Sequence, residues 1–178
     1  MKILNKVIYN ILNYTRSKET LDFVNNITHI NNYDLIIPNL YLGNINASND
    51  EDFFKKCNVC AIVNCTENEP FHLYFHDKPK LRLYVNDSKE KSNIEKFKKE
   101  IINAIDFIEE CIENNITVFV HCYWGLMRSA TVIAAYLIKT YKINHIDAIK
   151  LIREQRQFAL ASFYNFNEVL LFVEKTYI

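Results

Sequence analysis

The chain has 178 residues, of which 49% are hydrophobic and 24% charged, as is typical of one soluble globular domain. It carries 21 basic and 21 acidic residues, so its formal net charge is zero, which excludes a global basic field for nucleic acid or an anionic membrane. No apolar run approaches the ~20 residues needed to span a bilayer, and Asn and Lys interrupt the apolar N-terminus, unlike a signal peptide. We therefore expect a cytoplasmic protein with 5 reduced cysteines and neither a nucleic acid nor a membrane as partner.

The N-terminal segment combines an apolar stripe with a polar linker. Residues 3–14 have apolar side chains at helical spacing and predict an amphipathic helix: Ile3, Leu4, Val7, Ile8, Ile11 and Leu12. Residues 15–34 are polar, and we expect them to be irregular. The chain is thus divided into residues 1–34, helix and linker, and a folded domain, residues 35–178. The stripe either packs on that domain or, because the linker is long enough to reach another chain, forms a homodimer.

Strands and helices are predicted to alternate along the folded domain. The predicted strands are 35–43, interrupted by a turn at Pro38-Asn39, then 59–65, 81–85 and 117–122. The predicted helices are a short one capped by Asn49 or Asp50, then 94–112, 129–141, 145–156 and 165–176. This alternation predicts a single α/β domain with a central, mostly parallel sheet flanked by helices.

The most informative stretch lies between a buried strand and a buried helix, and it runs His121-Cys122-Tyr123-Trp124-Gly125-Leu126-Met127-Arg128-Ser129. Ligands of open α/β sheets bind at the carboxyl ends of strands, and a loop leading into a helix N-terminus points backbone N–H groups at an anion. If this loop encloses a phosphate, Cys122 lies beneath the phosphorus and Arg128 holds two oxygens with its planar guanidinium. The same field favours the nucleophilic thiolate, and Gly125 tolerates the positive φ of a tight cradle.

The spacing H-C-x5-R-S resembles the signature of the protein tyrosine phosphatase superfamily. The chain is similar to its dual-specificity branch, which includes the poxvirus H1-type phosphatases, over roughly residues 35–175. The segments that carry the resemblance are PNLYLG at 38–43, Ile62-Val63-Asn64, Val85-Asn86-Asp87-Ser88 and Ser129-Ala130. The resemblance implies the phosphatase fold, with an active site built as strand, P-loop and helix.

The resemblance also implies a role for each site residue. Cys122 attacks phosphorus and forms a phosphocysteine, Asp87 protonates the leaving oxygen and then activates water, and Ser129 hydrogen-bonds the sulfur. His121 braces the loop through backbone hydrogen bonds and helps to set the cysteine's pKa. The implied substrate-binding residues are Tyr123, Trp124, Gly125, Leu126, Met127 and Arg128. No metal or cofactor is needed, because the nucleophile and the cationic clamp both come from the protein.

The implied substrate is a phosphorylated protein bearing phosphotyrosine, phosphoserine or phosphothreonine. A chain of 178 residues has no room for the segment that deepens the pocket of classical tyrosine phosphatases. The variable loop positions are uncharged, which argues against a phosphoinositide headgroup. Arg128-Ser129-Ala130 does not match the Arg-Thr-Gly sequence of related RNA 5′-triphosphatases.

Trp124 and Met127 depart from the family pattern, in which smaller residues are common. They keep open the alternative of a catalytically impaired domain that binds phosphoproteins. Tyr123 and Trp124 are either walls of the pocket or aromatic residues of the core.

Other residues also have two interpretations. Asp77 is a weaker rival to Asp87 as the acid, because it precedes its strand. Cys65 ends a strand close to the loop and, by resemblance, is a candidate redox partner of Cys122. Cys57 and Cys60 are spaced as C-x2-C, but without a second ligand pair we interpret them as apolar cysteines rather than a zinc site.

Overall fold

The computed structural model describes residues 31–161 and 166–178. The helix predicted at 3–14 and most of the predicted linker lie outside the described residues. The last residues of that linker are ordered into a strand, because the Tyr33 ring stacks on Phe53 at 3.7 Å between centroids and residue 33 pairs with Gly43. No helix among the described residues has both the length and the apolar character needed to cross a membrane.

The central sheet has five strands in the order β1-β2-β5-β3-β4. The strands are β1 Tyr33–Ile37, β2 Leu40–Gly43, β3 Val59–Asn64, β4 Lys80–Arg82 and β5 Thr117–His121. β1 is antiparallel to β2, across a turn in which Asn39 has φ +64°, and every other pair is parallel. The mostly parallel α/β sheet predicted from the sequence is therefore confirmed.

Five α-helices accompany the sheet within residues 31–161 and 166–178. They are α1 Glu51–Lys56, α2 Lys91–Glu113, α3 Arg128–Tyr141, α4 His145–Gln155 and α5 Asn167–Tyr177. The Asp50 carboxylate caps α1 by accepting a hydrogen bond from the Phe53 amide at 2.9 Å. Residues 129–138 of α3 are all buried, as the continuous apolar pattern of that segment predicts.

β4 is shorter than the strand predicted at 81–85. The Leu83 amide still donates to the Asn64 carbonyl at 2.9 Å, but the Tyr84 amide donates to the Glu100 carboxylate on α2 at 2.7 Å. Pairing with β3 therefore stops where a side chain replaces the neighbouring backbone as acceptor. The segment after β4 becomes a loop, and it carries Asp87.

Apolar side chains cover both faces of the sheet at β5. Val118 and Val120 point into the larger core formed with α2 and α3, whereas Phe119 joins an aromatic cluster with Phe53 and Phe54 of α1. A parallel strand buried on both faces needs a continuous apolar run, which is the pattern of residues 117–120. β5 therefore lies at the centre of the fold, and its carboxyl end opens onto the loop that begins at Cys122.

Candidate active site

The candidate site is the loop between β5 and α3, at the carboxyl end of the central strand. Cys122 follows β5 directly, and Arg128 is the first residue of α3. The predicted arrangement of strand, loop and helix N-terminus is thus confirmed. The sheet places the loop between the ends of β2 and β3, its two parallel neighbours.

The Cys122 sulfur receives hydrogen bonds from two sides of the loop. The Gly125 amide and the Ser129 hydroxyl each donate to it at 3.2 Å, and only 1% of the residue is exposed. Burial alone would raise the pKa of the thiol, but the Arg128 charge and the side-chain and backbone hydrogen bonds from Ser129 together lower it below its ordinary value. The loop therefore stabilises the thiolate, which is the nucleophilic form.

Gly125 and Gly43 meet backbone to backbone. Gly125 has φ +68°, and a Cβ atom there would lie 2.4 Å from the Gly43 carbonyl oxygen. Only glycine combines this conformation with so close an approach. The contact seats the loop against the end of β2. Gly43 is glycine for a separate reason, since a Cβ atom there would lie 2.6 Å from the Asn32 carbonyl oxygen and 2.7 Å from the Phe119 ring.

Arg128 links the loop to the two neighbouring segments. Its Nη1 donates to the Cys65 carbonyl at 3.0 Å and to the Val85 carbonyl at 3.4 Å. Its buried Nε has no hydrogen-bond partner among the described residues. A buried donor without a partner costs free energy, and a phosphate oxygen held in the loop is a suitable acceptor for it.

Arg156, at the end of α4, is a site residue that the sequence did not reveal. It is 3% exposed, and it forms an ion pair from Nη1 to the Asp34 carboxylate at 2.6 Å. Its Nε donates to the Gly125 carbonyl at 2.7 Å and its Nη2 to the Trp124 carbonyl at 3.3 Å. The H-C-x5-R-S pattern gives no sign of these bonds, because Arg156 lies far outside it.

The bonds from Arg156 orient the loop amides. In a trans peptide the carbonyl and the following N–H point in opposite directions. Because Arg156 holds the carbonyls of Trp124 and Gly125 from behind, the N–H groups of Gly125 and Leu126 face the other way. The Gly125 amide does point at the Cys122 sulfur.

Asp87 lies in the exposed loop after β4. Its negative charge raises the pKa of Cys122, so the carboxylate is within electrostatic reach of the sulfur. Its rival Asp77 is exposed and lies next to His76, with 2.6 Å between its Oδ1 and the imidazole Nδ1. Of the two candidate acids, Asp87 is therefore the one whose charge acts on the Cys122 sulfur.

His121 is buried at the end of β5. Its carbonyl accepts a hydrogen bond from the Cys65 amide at 2.8 Å, and its ring stacks on Phe119 with 5.5 Å between centroids. Neither ring nitrogen has a hydrogen-bond partner in the part of the chain that the structure describes. Burial lowers its pKa to about 3, and a contact with the Cys122 backbone opposes this only in part. The ring is therefore neutral, and His121 contacts its surroundings through ring packing and through the backbone hydrogen bond that its carbonyl accepts from Cys65.

The remaining loop side chains divide between the core and the surface. Leu126 is buried, with its carbonyl accepting from the Leu160 amide at 2.9 Å, and Met127 packs against the larger core. Tyr123 and Trp124 are half-buried, with their rings edge to face at 5.3 Å between centroids. The Met127 side chain is thus accommodated against the core. The Leu126 side chain is buried, so only the backbone of Leu126 can contact a substrate.

Cys65 lies at the end of β3, beside the loop. It is fully buried, and burial together with the Cys122 charge raises the pKa of its thiol well above the ordinary value. Cys65 is therefore a neutral thiol next to a stabilised thiolate. All 5 cysteines of the chain are free in the structure.

The fold and the loop define a cysteine-dependent phosphatase domain. Residues 40–176 match the family model described as dual specificity phosphatase, catalytic domain. The chain belongs to this family. The resemblance to dual-specificity phosphatases, inferred from the loop and the LYLG segment, is therefore confirmed at the level of the family.

Curated relatives share this domain. Dual specificity protein phosphatase 1-B of Xenopus laevis is 32% identical over 137 residues, which are 77% of this chain and 36% of the relative. Dual specificity protein phosphatase 9 of Homo sapiens is 33% identical over 145 residues, 79% of this chain and 36% of the relative. The chain thus spans about a third of the length of these relatives.

Solved structures share the fold. DUSP15 has a TM-score of 0.67 at 26% identity, covering 82% of this chain and 87% of that one. The human tyrosine phosphatase-like serine/threonine/tyrosine-interacting protein has a TM-score of 0.65 at 22% identity, covering 82% and 94%. The second likeness concerns the fold alone.

Proposed function

We propose that the chain is an active protein phosphatase that hydrolyses phosphotyrosine and phosphoserine or phosphothreonine through a phosphocysteine intermediate. One observation carries the proposal. The Cys122 thiol is buried, yet its pKa lies below the ordinary value because of the Arg128 charge and the Ser129 hydrogen bonds. A buried thiol with no catalytic use would have its pKa raised, as that of Cys111 is, to about 11.

The first step transfers the phosphoryl group to sulfur. The Cys122 thiolate attacks phosphorus, the S–P bond forms, and the P–O bond to the substrate side chain breaks. The leaving oxygen takes the proton of the Asp87 carboxyl. Arg128 and the inward amides of the loop bind the three equatorial oxygens, where negative charge is concentrated in the transition state.

The second step returns the enzyme to its starting state. Asp87, now a carboxylate, accepts a proton from water as the water oxygen attacks phosphorus. The S–P bond breaks, inorganic phosphate leaves, and the thiolate again receives the hydrogen bonds of Ser129 and Gly125. These bonds favour sulfur as a leaving group because they stabilise its negative charge.

A catalytically impaired binding module is not favoured. That alternative rested on Trp124 and Met127, and Met127 packs against the core. Trp124 is half-buried beside Tyr123, where a substrate can meet it. The hydrogen bonds from Gly125 and Ser129 to the Cys122 sulfur support an active enzyme instead.

Further parts of the proposal rest on sequence and chemistry alone. Within the family, we propose kinship with the poxvirus H1-type phosphatases, from the motifs of residues 38–43 and 121–129, and hence a host cytoplasm or virion as location. A thiolate nucleophile is sensitive to oxidation, which favours a reducing, cytoplasmic compartment.

The amphipathic pattern of residues 3–14 supports a homodimer through that segment. The balanced charge supports phosphoproteins rather than nucleic acid or membrane as partners.

The test is hydrolysis of a small aryl phosphate near pH 6 without added metal. We expect turnover by the wild type, inhibition by vanadate, and loss of turnover in Cys122→Ser. Cys60→Ser is the matched control, because Cys60 is a half-buried thiol of β3 and should leave turnover unchanged. Phosphotyrosine and phosphothreonine peptides then test dual specificity. A folded wild type without turnover on any of these substrates would sink the proposal.

A further inference from the structure

Asn93 is a buried asparagine in the first turn of α2. It is 8% exposed, and its carboxamide is fully engaged with the loop that precedes the helix. Its Oδ1 accepts from the Asn86 amide at 2.9 Å. Its Nδ2 donates to the Asn86 carbonyl at 2.8 Å and to the Ser88 carbonyl at 3.1 Å.

These three bonds enclose Asp87. The carboxamide pairs with both backbone groups of Asn86, as a neighbouring strand would. It also donates to the carbonyl of Ser88, the residue after Asp87. The two peptides that flank Asn86 and the Ser88–Lys89 peptide are therefore fixed to α2. The backbone rotations of Asp87 and Ser88, which lie between these anchors and aim the Asp87 side chain, are restricted as a result.

The loop has little apolar packing to hold it otherwise. Asn86, Asp87, Lys89 and Glu90 are all exposed. Where the loop begins, the Val85 carbonyl accepts from Arg128 Nη1 at 3.4 Å. The loop is thus tied to the catalytic arginine at its start and to Asn93 around the acid.

We propose that Asn93 is a positioning residue for the general acid. It holds the Asp87 loop so that the carboxyl faces the substrate oxygen that leaves when Cys122 attacks phosphorus. The inference rests on the proposed role of Asp87. Asn93 acts through Asp87 and has no contact with the phosphate cradle in the described residues. Its removal should therefore impair proton donation and leave nucleophile and phosphate binding intact.

The test compares two aryl phosphates that differ in how much their leaving groups need a proton. An unsubstituted phenol leaves poorly without protonation, whereas a strongly electron-poor phenol leaves as the anion. General acids contribute about 10²–10⁴-fold, so partial misplacement in Asn93→Ala should lower kcat/KM for phenyl phosphate about tenfold. For the electron-poor substrate the loss should be about twofold or less, and the inhibition constant of vanadate should not change.

Two further variants separate positioning from helix stability. Asn93→Asp keeps an acceptor for the Asn86 amide but cannot donate to the carbonyls, and its charge favours a helix N-terminus. It removes both donated bonds without shortening the side chain and should still show the leaving-group-dependent loss, while urea unfolding measures any change in stability separately. Asn114→Ala is the matched control. Asn114 follows the last residue of the same helix, and its side chain donates to the Glu110 carbonyl at 2.7 Å. The variant should leave kcat/KM for both substrates unchanged.

The decisive measurement repeats Asn93→Ala in an Asp87→Asn background. If Asn93 acts through Asp87, its removal there should cost less than about twofold with either substrate. An equal loss on both substrates, no loss at all, or a loss that persists without Asp87 would each overturn the inference. If Asp87→Asn itself shows no leaving-group-dependent loss, the proposed acid is wrong, and that result is distinct from a failure of Asn93 alone.

Discussion

At Cys122, burial and charge act on the sulfur in opposite directions. Removal from water disfavours the thiolate, and so does the nearby Asp87 charge, yet the pKa is lowered because Arg128 and Ser129 outweigh both. Charge-assisted hydrogen bonds are roughly twice as strong as neutral ones, and more so away from water. The ionisation of one sulfur atom therefore depends on a few donors within the loop.

Ser129→Ala tests this dependence. The variant loses the hydroxyl donor at 3.2 Å, so the pKa of Cys122 should rise and its alkylation by iodoacetate should require a higher pH than in the wild type. The wild-type thiolate persists down to its depressed pKa, so the two profiles should differ most below the ordinary pKa of a thiol. We also expect kcat to fall by about ten- to a hundredfold, since a bond to a charged group contributes about 1.5–3 kcal/mol.

The alkylation rates are measured across pH by mass spectrometry of the Cys122 peptide. Thr131→Ala is a suitable control, because its hydroxyl donates to the Met127 carbonyl at 2.9 Å and not to sulfur. Coincident profiles for the wild type and Ser129→Ala would contradict the role given to the hydroxyl.

At the scale of elements, the loop is held by parts that are distant in sequence. β2 seats it through Gly43, and α4 holds its carbonyls through Arg156, which pairs with Asp34 of β1. The geometry of the phosphate cradle is thus set by the packing of a helix and two strands, and the loop sequence alone does not fix it.

Arg156→Met should disturb both the stability and the cradle. It leaves the Asp34 carboxylate without its partner, and removing one member of a buried ion pair costs about 3–5 kcal/mol of unfolding free energy. The affinity for vanadate should also fall, because the carbonyls of Trp124 and Gly125 lose their donors. Urea unfolding and vanadate inhibition measure the two effects.

Lys150→Met provides the comparison on the same helix. Lys150 is exposed and donates to the Asp147 carboxylate of the preceding turn at 2.8 Å. Its loss should cost less stability than that of Arg156 and leave vanadate inhibition unchanged. Equal effects of the two variants on vanadate would contradict the assignment of Arg156 to the loop.

The sequence predicts the elements well where local pattern determines them. The apolar run at 117–122 and the helical pattern after Ser129 place the loop correctly. The predicted strand at 81–85 is too long, because the Tyr84 amide turns to Glu100, which no strand pattern reveals. Arg156 is missed for the same reason, since its ion pair joins residues 122 positions apart.

At the scale of the whole molecule, the site collects residues from four separated segments. The ends of β3 and β5, the loop after β4 and the end of α4 converge on one sulfur atom. The central position of β5, covered on both faces, supports this convergence.

Deletion of residues 1–14 tests the proposed homodimer. We expect the full chain to have the mass of a dimer by light scattering and the truncated chain to have that of a monomer, because the apolar stripe of the predicted helix is lost. Turnover of a small aryl phosphate should be similar in both. An unchanged mass after truncation would reject this interface.

The half-buried indole beside Tyr123 has one more consequence. The chain contains 1 tryptophan, and it is Trp124, in the loop itself. Tryptophan fluorescence of this protein therefore originates entirely within the loop that we propose binds phosphate. Occupancy of the site by vanadate or phosphate, and loosening of the loop before the rest of the chain unfolds, can be followed optically without attaching a label.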